Sequence, residues 1–219
     1  MNMEPMNGKH KIMDFSQFGI NYIARLGKVL EHFDFKAFER VVGAILDAYV
    51  RKANIFVMGN GGSGATASHL VCDFNKGCCL DLSHKFKMIC LNDNMPTVLA
   101  LANDLSYESV FEEQLKNFFN PGDLVIGISG SGNSENVLRA VRYAVSGGGV
   151  TMGWSGFGGG ELARIVDVAL VAESHDMQQV EDVHVILTHM LMQAVYAALH
   201  DGCGSPVCDP GVGATDRRR

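Results

Sequence analysis

Two short glycine- and serine-rich segments carry residue types that bind anions. Residues 59–64 read GNGGSG and follow the apolar run 54–58, and residues 129–134 read SGSGNS and follow the apolar run 124–128. When a helix follows such a turn, backbone N–H groups, hydroxyls and the positive end of the helix converge on one anion. Two such segments in one chain predict a binding site for a phosphorylated small molecule.

The second segment holds three hydroxyl groups within six residues, those of Ser129, Ser131 and Ser134. A serine hydroxyl donates to a phosphate oxygen without adding a permanent charge, which suits a sugar phosphate that must be released again. The alternative is helix capping, because Ser134 can be the N-cap of a helix that begins at Glu135. Capping explains one serine but not three, so we predict that the segment binds phosphate.

The first segment also satisfies the GxGxxG pattern of dinucleotide-binding folds, through Gly59, Gly61 and Gly64. A nicotinamide site of that kind needs an acidic residue about 20 positions further on. Here Asn92 and Asp93 come about 30 positions after the segment. The second, serine-rich segment has no role in that interpretation, so a dinucleotide site is disfavoured.

The rest of the chain alternates between strand-like and helix-like segments, which predicts the elements that position the two loops. Strands are expected at 54–59, 86–92, 123–128, 149–154 and 167–172, and helices at 64–77, 96–103, 106–119, 134–146, 159–165 and 177–200. This order is typical of an α/β fold in which helices cover both faces of a parallel sheet. In such sheets ligands bind beyond the carboxyl ends of the strands, at the switch point in strand order, where we expect both loops.

Two amphipathic helices are predicted before this repeat, at about 15–33 and 35–52, with Asp34 as the N-cap of the second. A helix pair outside the main repeat must bury its apolar stripe, and packing against another subunit is a common solution. The sequence therefore predicts a homo-oligomer.

Composition excludes several classes of protein. The 219 residues are 47% hydrophobic and carry a net charge of −6, with one basic run at 217–219. The chain is thus long enough to bury a core and too acidic to attract nucleic acid broadly. The chain has no run of about 18 uncharged apolar residues, so a membrane span is not expected. Residues 1–13 lack the apolar core of a signal peptide. We therefore expect no nucleic-acid partner, no membrane and a cytoplasmic location.

A single domain is expected over residues 1–200, including the helix pair, followed by a flexible tail at 201–219 that is rich in glycine and proline. The cysteines lack CxxC spacing, so a zinc knuckle is disfavoured and we expect structural or incidental roles for them. They are Cys72, Cys78, Cys79, Cys90, Cys203 and Cys208.

The two loops and their spacing resemble those of the sugar isomerase (SIS) domain family, most closely the phosphoheptose isomerase group. The resemblance extends from the first helices to about residue 200. It implies a five-stranded parallel sheet flanked by helices and a serine-rich loop that binds the phosphate of a phosphosugar. The substrate-binding residues implied in the two loops are Asn60, Gly61, Gly62, Ser63, Ser129, Gly130, Ser131 and Ser134.

The resemblance also implies a reaction, the interconversion of sedoheptulose 7-phosphate and D-glycero-D-manno-heptose 7-phosphate. An aldose–ketose isomerisation moves a proton between adjacent carbons through an enediol(ate), so it needs a base near those carbons and a donor for their oxygens. His69 and Asp73 are four residues apart on one predicted helix face. On the last predicted helix, Glu181 and His189 lie eight apart along a single ridge.

The phosphoheptose isomerases place a His and a Glu on the first of these helices and a Gln and a His on the last, as metal ligands and acid/base groups. His69 and His189 match those positions, whereas Asp73 stands in place of Glu and Glu181 in place of Gln. The resemblance implies zinc or a similar divalent ion on all four residues, with Asp73 as the base and His189 serving the oxygens. Asp73 cannot freely be both ligand and base, so Glu181 or His189 is the base if the ion holds Asp73.

A second reading remains open, because some SIS proteins bind phosphosugars without catalysis, as regulators or as partners of the replication initiator. His69 and His189 favour catalysis, and the changes at 73 and 181 leave room for a binder. Asn103 and Asp104 lie where the family contacts the sugar, with a turn as the alternative. His184 is expected to be a packing residue. The implied partners are a phosphorylated sugar, contacted also by Glu181, and further copies of the chain, with a tetramer favoured and sites shared between subunits.

Overall fold

Five parallel strands form one sheet in the computed structural model, which describes residues 14–80 and 82–200. The strands are β1 (Asn54–Gly59), β2 (Lys87–Cys90), β3 (Leu124–Ile128), β4 (Val150–Ser155) and β5 (Val168–Val171). Their order across the sheet is β2-β1-β3-β4-β5. The chain leaves β1 towards one edge of the sheet and returns through β3 towards the other, so the switch point lies between β1 and β3.

Helices cover both faces of this sheet. They are α1 (Phe15–Glu31), α2 (Phe35–Arg51), α3 (Gly61–Cys72), α4 (Met95–Asp104), α5 (Val110–Phe118), α6 (Glu135–Ser146), α7 (Leu162–Ile165) and α8 (Met177–His200). A π-helical turn, Asp73–Cys78, continues α3, and a 3₁₀ turn, Tyr107–Ser109, precedes α5.

The interior strand β1 is buried on both faces, which explains its unbroken apolar sequence. Ile55 and Val57 belong to the core that the sheet forms with α2, α3 and α8. Phe56 and Met58 belong to the core on the opposite face, with α5 and α6. The sheet therefore fixes the positions of the two loops that follow the carboxyl ends of β1 and β3.

The predicted α/β fold with a five-stranded parallel sheet is confirmed, and most elements lie within a few residues of their expected bounds. The predicted cap is also confirmed, because Asp34 Oδ1 accepts a hydrogen bond from the Ala37 N–H at 2.9 Å. Two helices differ from expectation. Helix α3 begins at Gly61 rather than at residue 64, and α7 is a single turn because the preceding residues Gly158–Gly160 all have positive φ.

Helix α1 lies on the outside of the fold and buries none of its residues. Leu26 and Val29 pack against Val180 and Val183 of α8, and the Tyr22 hydroxyl donates to Asp182 Oδ2 at 2.6 Å. Its amino-terminal half leaves large apolar side chains exposed. They are Phe15, Phe18, Ile20 and Ile23. Part of the predicted apolar stripe thus has no cover among residues 14–80 and 82–200 of one chain.

Helix α8 is long and apolar enough to cross a membrane, judged by length and composition alone. Core helices pass the same test, and Leu187, Leu191 and Val195 lie fully buried in the main core. We therefore treat α8 as a core helix. Among the described cysteines, Cys72, Cys78, Cys79 and Cys90 are free thiols. Cys203, Cys208 and the predicted tail 201–219 lie outside the described residues, so the domain boundary at 200 stays a prediction.

Candidate active site

The two glycine-rich loops lie side by side, because they follow the neighbouring strands β1 and β3. The first leads into α3 through Asn60, and the second leads into α6 through Ser134. The switch-point location predicted from the strand pattern is therefore confirmed. Side-chain hydrogen bonds between Asn60 and Asn136 connect the two loops directly.

The helices that follow the loops differ from others in how they begin. Asp14, Asp34 and Asn94 each cap their own helix with a side-chain hydrogen bond. Asn60 and Ser134 occupy the N-cap positions of α3 and α6, yet neither side chain makes a cap hydrogen bond. The alternative that Ser134 serves as a capping side chain is thus not what the structure shows. Uncapped first turns leave backbone N–H groups for an anion.

The serine-rich loop is held in a fixed shape by its own hydrogen bonds. The Ser129 hydroxyl donates to Ser134 Oγ at 3.0 Å, and the Gly132 N–H donates to the Ser129 carbonyl at 2.8 Å. The Asn133 N–H donates to Ser131 Oγ at 3.2 Å. Three hydroxyl groups therefore gather within one turn, as the phosphate-binding interpretation requires.

A second glycine run supports this loop from outside. Gly132 has φ +68°, and a Cβ there would overlap the Gly159 carbonyl group. The Leu162 N–H donates to the Gly132 carbonyl at 2.9 Å, and the Glu161 N–H donates to Asn133 Oδ1 at 3.0 Å. Only glycine combines this backbone conformation with so close an approach. The run 158–160 is thus part of the wall behind the serine-rich loop.

Three of the four predicted metal ligands meet on one side of the fold. His69 Nε2 lies 2.9 Å from His189 Nε2 and 3.4 Å from Asp73 Oδ2. One ligand atom from each of these residues lies within 4.8 Å of the others. Both histidines are exposed and Asp73 is half-buried. Two imidazoles and a carboxylate are a donor set that fits zinc with a position left for water or substrate.

Glu181 lies elsewhere on the same ridge of α8. It is not part of the histidine group, and its carboxylate lies against the first turn of α3 at Gly62. A Cβ at Gly62 would be 2.5 Å from the Glu181 carboxyl carbon, so this contact requires glycine. Glu181 therefore lies beside the first glycine-rich loop rather than among the other three predicted ligands.

The first glycine-rich loop and the histidine group lie at two ends of the contact between α3 and α8. Helices α3 and α8 run in the same direction, since Gly62 meets Glu181 and His69 meets His189. The seven residues from Gly62 to His69 correspond to about 10 Å along a helix. The exposed Val185 lies between Glu181 and His189 on the α8 ridge. We call this stretch between α3 and α8 the α3–α8 groove.

Asn103 and Asp104 are exposed at the end of α4 and are hydrogen-bonded to each other, Asn103 Nδ2 donating to Asp104 Oδ1 at 2.8 Å. Both residues belong to the last turn of α4 and not to a turn between elements, and their sugar contact stays a prediction. Sequence reasoning gave no site role to Asp93, which follows β2 and accepts a hydrogen bond from the Ser68 hydroxyl at 2.7 Å. The rule that ligands bind beyond the carboxyl ends of parallel strands could have singled out Asp93.

His184 is a buried packing residue, as expected. Its Nε2 lies 3.3 Å from the Ser155 carbonyl, and its ring packs near Trp154. Burial lowers the pKa of His184 from 6.5 to about 4, against the smaller opposing effect of the hydrogen bond to Ser155. The folded protein therefore keeps this imidazole neutral through most of the mildly acidic range.

This burial predicts an acid-sensitive stability. Below the ordinary pKa of His184, the unfolded chain binds a proton there that the folded chain does not. The contribution of the neutral imidazole to the free energy of unfolding is therefore fully present above about pH 6.5 and is lost as pH falls towards 4. We expect His184→Gln, which keeps an N–H donor for Ser155, to remove on the order of 2–3 kcal/mol of this pH dependence. Urea unfolding at a series of pH values measures it. The exposed His32→Gln is the control, and an unchanged slope in His184→Gln would contradict the account.

Comparison with known proteins defines the class to which this fold and site belong. The SIS domain pattern matches residues 20–156. The chain belongs to the SIS domain family.

Within that family, phosphoheptose isomerases are similar to this chain. One from Roseiflexus sp. (strain RS-1) is 34% identical over 157 residues, which covers 72% of this chain and 79% of that protein. A probable phosphoheptose isomerase from Thermoplasma volcanium is 31% identical over 186 residues, 85% of this chain and 92% of that protein. The solved phosphoheptose isomerase from Neisseria gonorrhoeae superposes with a TM-score of 0.77 at 22% identity, covering 83% of this chain and 98% of that one, and shows the shared fold.

Proposed function

We propose that this protein is a phosphosugar isomerase that interconverts sedoheptulose 7-phosphate and D-glycero-D-manno-heptose 7-phosphate. The observation that carries the proposal is the α3–α8 groove, with an anion-binding pair of loops at one end and the His69–Asp73–His189 group at the other. The names of its relatives support the same substrate class.

The phosphate is proposed to bind where the loops meet. The hydroxyls of Ser63, Ser129, Ser131 and Ser134 donate to its oxygens, together with backbone N–H groups of Gly61, Gly62 and Gly130. The uncapped first turns of α3 and α6 add the positive ends of their helices. Ser129 is 3% exposed and Ser63 is 5% exposed, so these hydroxyls act in a site with little water, where hydrogen bonds to a charged group are strong.

The separation of the two ends supports a long sugar. A phosphate at the loops and a reacting carbon at His189 are about 10 Å apart along α3. The open-chain form of a seven-carbon sugar phosphate extends over such a distance, whereas a three-carbon one does not. Glu181, beside Gly62, and Val185 line the groove in between. We therefore assign the middle carbons of the sugar to this stretch.

The proton transfer is assigned to groups at the far end. Asp73 removes a proton from the carbon next to the ketose carbonyl and returns it to the former carbonyl carbon, with an enediol(ate) between. His189 donates to the oxygen that gains a proton and accepts from the one that loses it. His69 lies within hydrogen-bond distance of His189 and close to Asp73, so it orients both groups. Its contact with each of them makes the three residues one unit.

The same three side chains fit a divalent ion, and the proposal includes zinc or a similar metal. His69, Asp73 and His189 would hold it, since their donor atoms are nitrogen and carboxylate oxygen within one small volume. When bound, such an ion polarises a carbonyl oxygen as a Lewis acid. If the ion takes Asp73 as a ligand, His69 and Asp73 would hold it and His189 would be the remaining base at this end of the groove, since Glu181 lies at the loops.

Metal binding gives a prediction that does not depend on turnover. We expect the purified protein to bind about one zinc ion per chain, and His69→Asn to lower the affinity by at least about tenfold, because a three-residue site loses a nitrogen ligand. Equilibrium dialysis followed by metal analysis measures this. The exposed His175→Asn should bind zinc like the wild type. Equal zinc affinity in wild type and His69→Asn would remove this group as the metal site.

The oligomer is also part of the proposal. The exposed apolar side chains of α1 would be covered by a second copy of the chain, and a tetramer with sites shared between subunits follows the phosphoheptose isomerase resemblance. A non-catalytic phosphosugar binder needs the loops but not a histidine–carboxylate group, so the α3–α8 groove favours the isomerase.

The direct test of the function is turnover of sedoheptulose 7-phosphate, followed by NMR with purified protein. We expect an aldose heptose 7-phosphate to appear, to stop appearing after chelation and to return with added zinc. Thermal stabilisation by the phosphosugar without any aldose would contradict the isomerase and support a binding protein.

A further inference from the structure

The two anion-binding loops are tied together by a pair of asparagine side chains. Asn60 Nδ2 donates to Asn136 Oδ1, and Asn136 Nδ2 donates to Asn60 Oδ1, each at 2.8 Å. Asn60 starts α3 and Asn136 lies in the first turn of α6. The pair therefore connects the helix after β1 with the helix after β3 at the switch point of the sheet.

Asn60 occupies the N-cap position of α3 but does not cap that helix with its side chain. Other helix-starting Asp and Asn residues in this fold, Asp34 and Asn94 among them, use their side chains to cap their own helix. Asn60 makes no such bond and reaches across to α6 instead. Loss of a cap costs stability, so the contact with α6 replaces a favourable local one.

Tyr107 adds a third member to this link. Its hydroxyl donates to Asn60 Oδ1 at 2.8 Å from the 3₁₀ turn after α4, and its ring is 53% exposed. The side-chain oxygen of Asn60, Oδ1, then accepts two hydrogen bonds, which is its full capacity. This oxygen has no lone pair left for a sugar hydroxyl. Asn60 Oδ1 therefore links the two helices and does not contact substrate.

Asn136 is enclosed, with 2% of its surface exposed. A buried amide is costly unless it is hydrogen-bonded, and here Asn60 supplies both a donor and an acceptor. The first loop is also held from its other side, where Asn92 Nδ2 donates to the Gly59 carbonyl at 2.7 Å. The start of α3 is thus fixed relative to both neighbouring strand ends.

We propose that Asn136, acting through Asn60 with support from Tyr107, is a positioning residue that holds the first turns of α3 and α6 at the spacing of one phosphate group. This rests on the proposed function, because it explains how two loops act on a single anion. Phosphate affinity then depends on a buried side chain that does not touch phosphate. Preorganisation of this kind lowers the cost of binding without adding a contact.

The test uses inorganic phosphate as the probe, measured by calorimetry, with KM and kcat for the phosphosugar as a second readout. We expect Asn136→Ala and Asn60→Ala each to weaken phosphate binding by about tenfold, and the double variant to be no weaker than either single one, because both remove the same link. KM should rise by a similar factor while kcat stays within about twofold. Tyr107→Phe should weaken binding by about threefold without risk to the fold.

Gln114→Ala is the matched control. Gln114 is another buried amide, 5% exposed, whose side chain donates to the Leu91 and Val110 carbonyls and makes no hydrogen bond with either loop among the described residues. Its loss should lower stability and leave phosphate affinity unchanged. If Asn136→Ala does not fold, Asn60→Ala, at a half-exposed position, carries the test.

The outcomes separate this inference from the proposed function. Phosphate binding by the wild type with equal affinity in the folded asparagine variants would overturn the inference alone, as would fully additive effects in the double variant. Absence of phosphate binding by the wild type would overturn the anion site of the proposed function and this inference with it.

Discussion

Replacement of Asp73 by asparagine should lower kcat by about 10³-fold, because general acid–base groups contribute about 10² to 10⁴ and an amide cannot accept the proton. The change keeps the size and shape of the side chain. Phosphosugar binding should remain measurable, since the proposed phosphate site at the loops is about 10 Å away. Steady-state kinetics and a calorimetric titration with sedoheptulose 7-phosphate give the two quantities separately.

Asp47→Asn is the control for this variant. Asp47 is an exposed carboxylate that pairs with Arg51 on the next turn of α2, so its replacement removes the same charge without touching the α3–α8 groove. Its kcat should equal that of the wild type. Wild-type turnover in Asp73→Asn would exclude Asp73 as the base and leave His189 for that role.

The second large effect is expected from Gly132→Ala in the serine-rich loop. A side chain at φ +68° is strained, and its Cβ would overlap the Gly159 carbonyl group, 2.7 Å from the carbonyl carbon. The loop must move to relieve this overlap. We expect phosphosugar affinity to fall by at least about 100-fold and the free energy of unfolding to fall by on the order of 2–3 kcal/mol. Calorimetry and urea unfolding measure the two effects.

Gly148→Ala separates backbone strain from the specific contact. Gly148 has φ +75°, but a Cβ there would meet only the Pro121 side chain at 3.9 Å, and the residue precedes the amino end of β4, whereas both loops follow the carboxyl ends of their strands. The strain costs about 1 kcal/mol and phosphosugar affinity should be unchanged. If Gly132→Ala lost no more affinity than Gly148→Ala, the serine-rich loop would not be the phosphate site.

Much of the fold could be predicted because the signals are local. The unbroken apolar run of β1 predicts a strand buried on both faces, and the glycine-rich turns after β1 and β3 predict where the ligand end of the sheet lies. Since β1 and β3 are neighbours, the two loops had to meet once the sheet was parallel. The fold class and the family therefore followed from strand periodicity and two short motifs.

The rest depends on how helices pack against one another, which periodicity does not report. The spacing of Glu181 and His189 shows that they share a ridge, but not that the ridge runs along α3 and leaves Glu181 at the loops. The link between Asn60 and Asn136 joins residues 76 positions apart and has no sequence signature. Likewise, Ser134 looks like a cap in sequence, and only the structure shows its hydroxyl directed to Ser129.

The most direct test of the central claim, proton transfer within a phosphosugar bound in the α3–α8 groove, is to run the sedoheptulose 7-phosphate reaction in D₂O and examine the product by NMR. A base that takes a proton from one carbon and returns one to the next exchanges it with solvent. The account predicts an aldose heptose 7-phosphate that carries deuterium at carbon 2, formed by the wild type and not by Asp73→Asn. No aldose from the wild type would contradict the isomerase, and an aldose formed equally fast by Asp73→Asn would contradict proton transfer through Asp73.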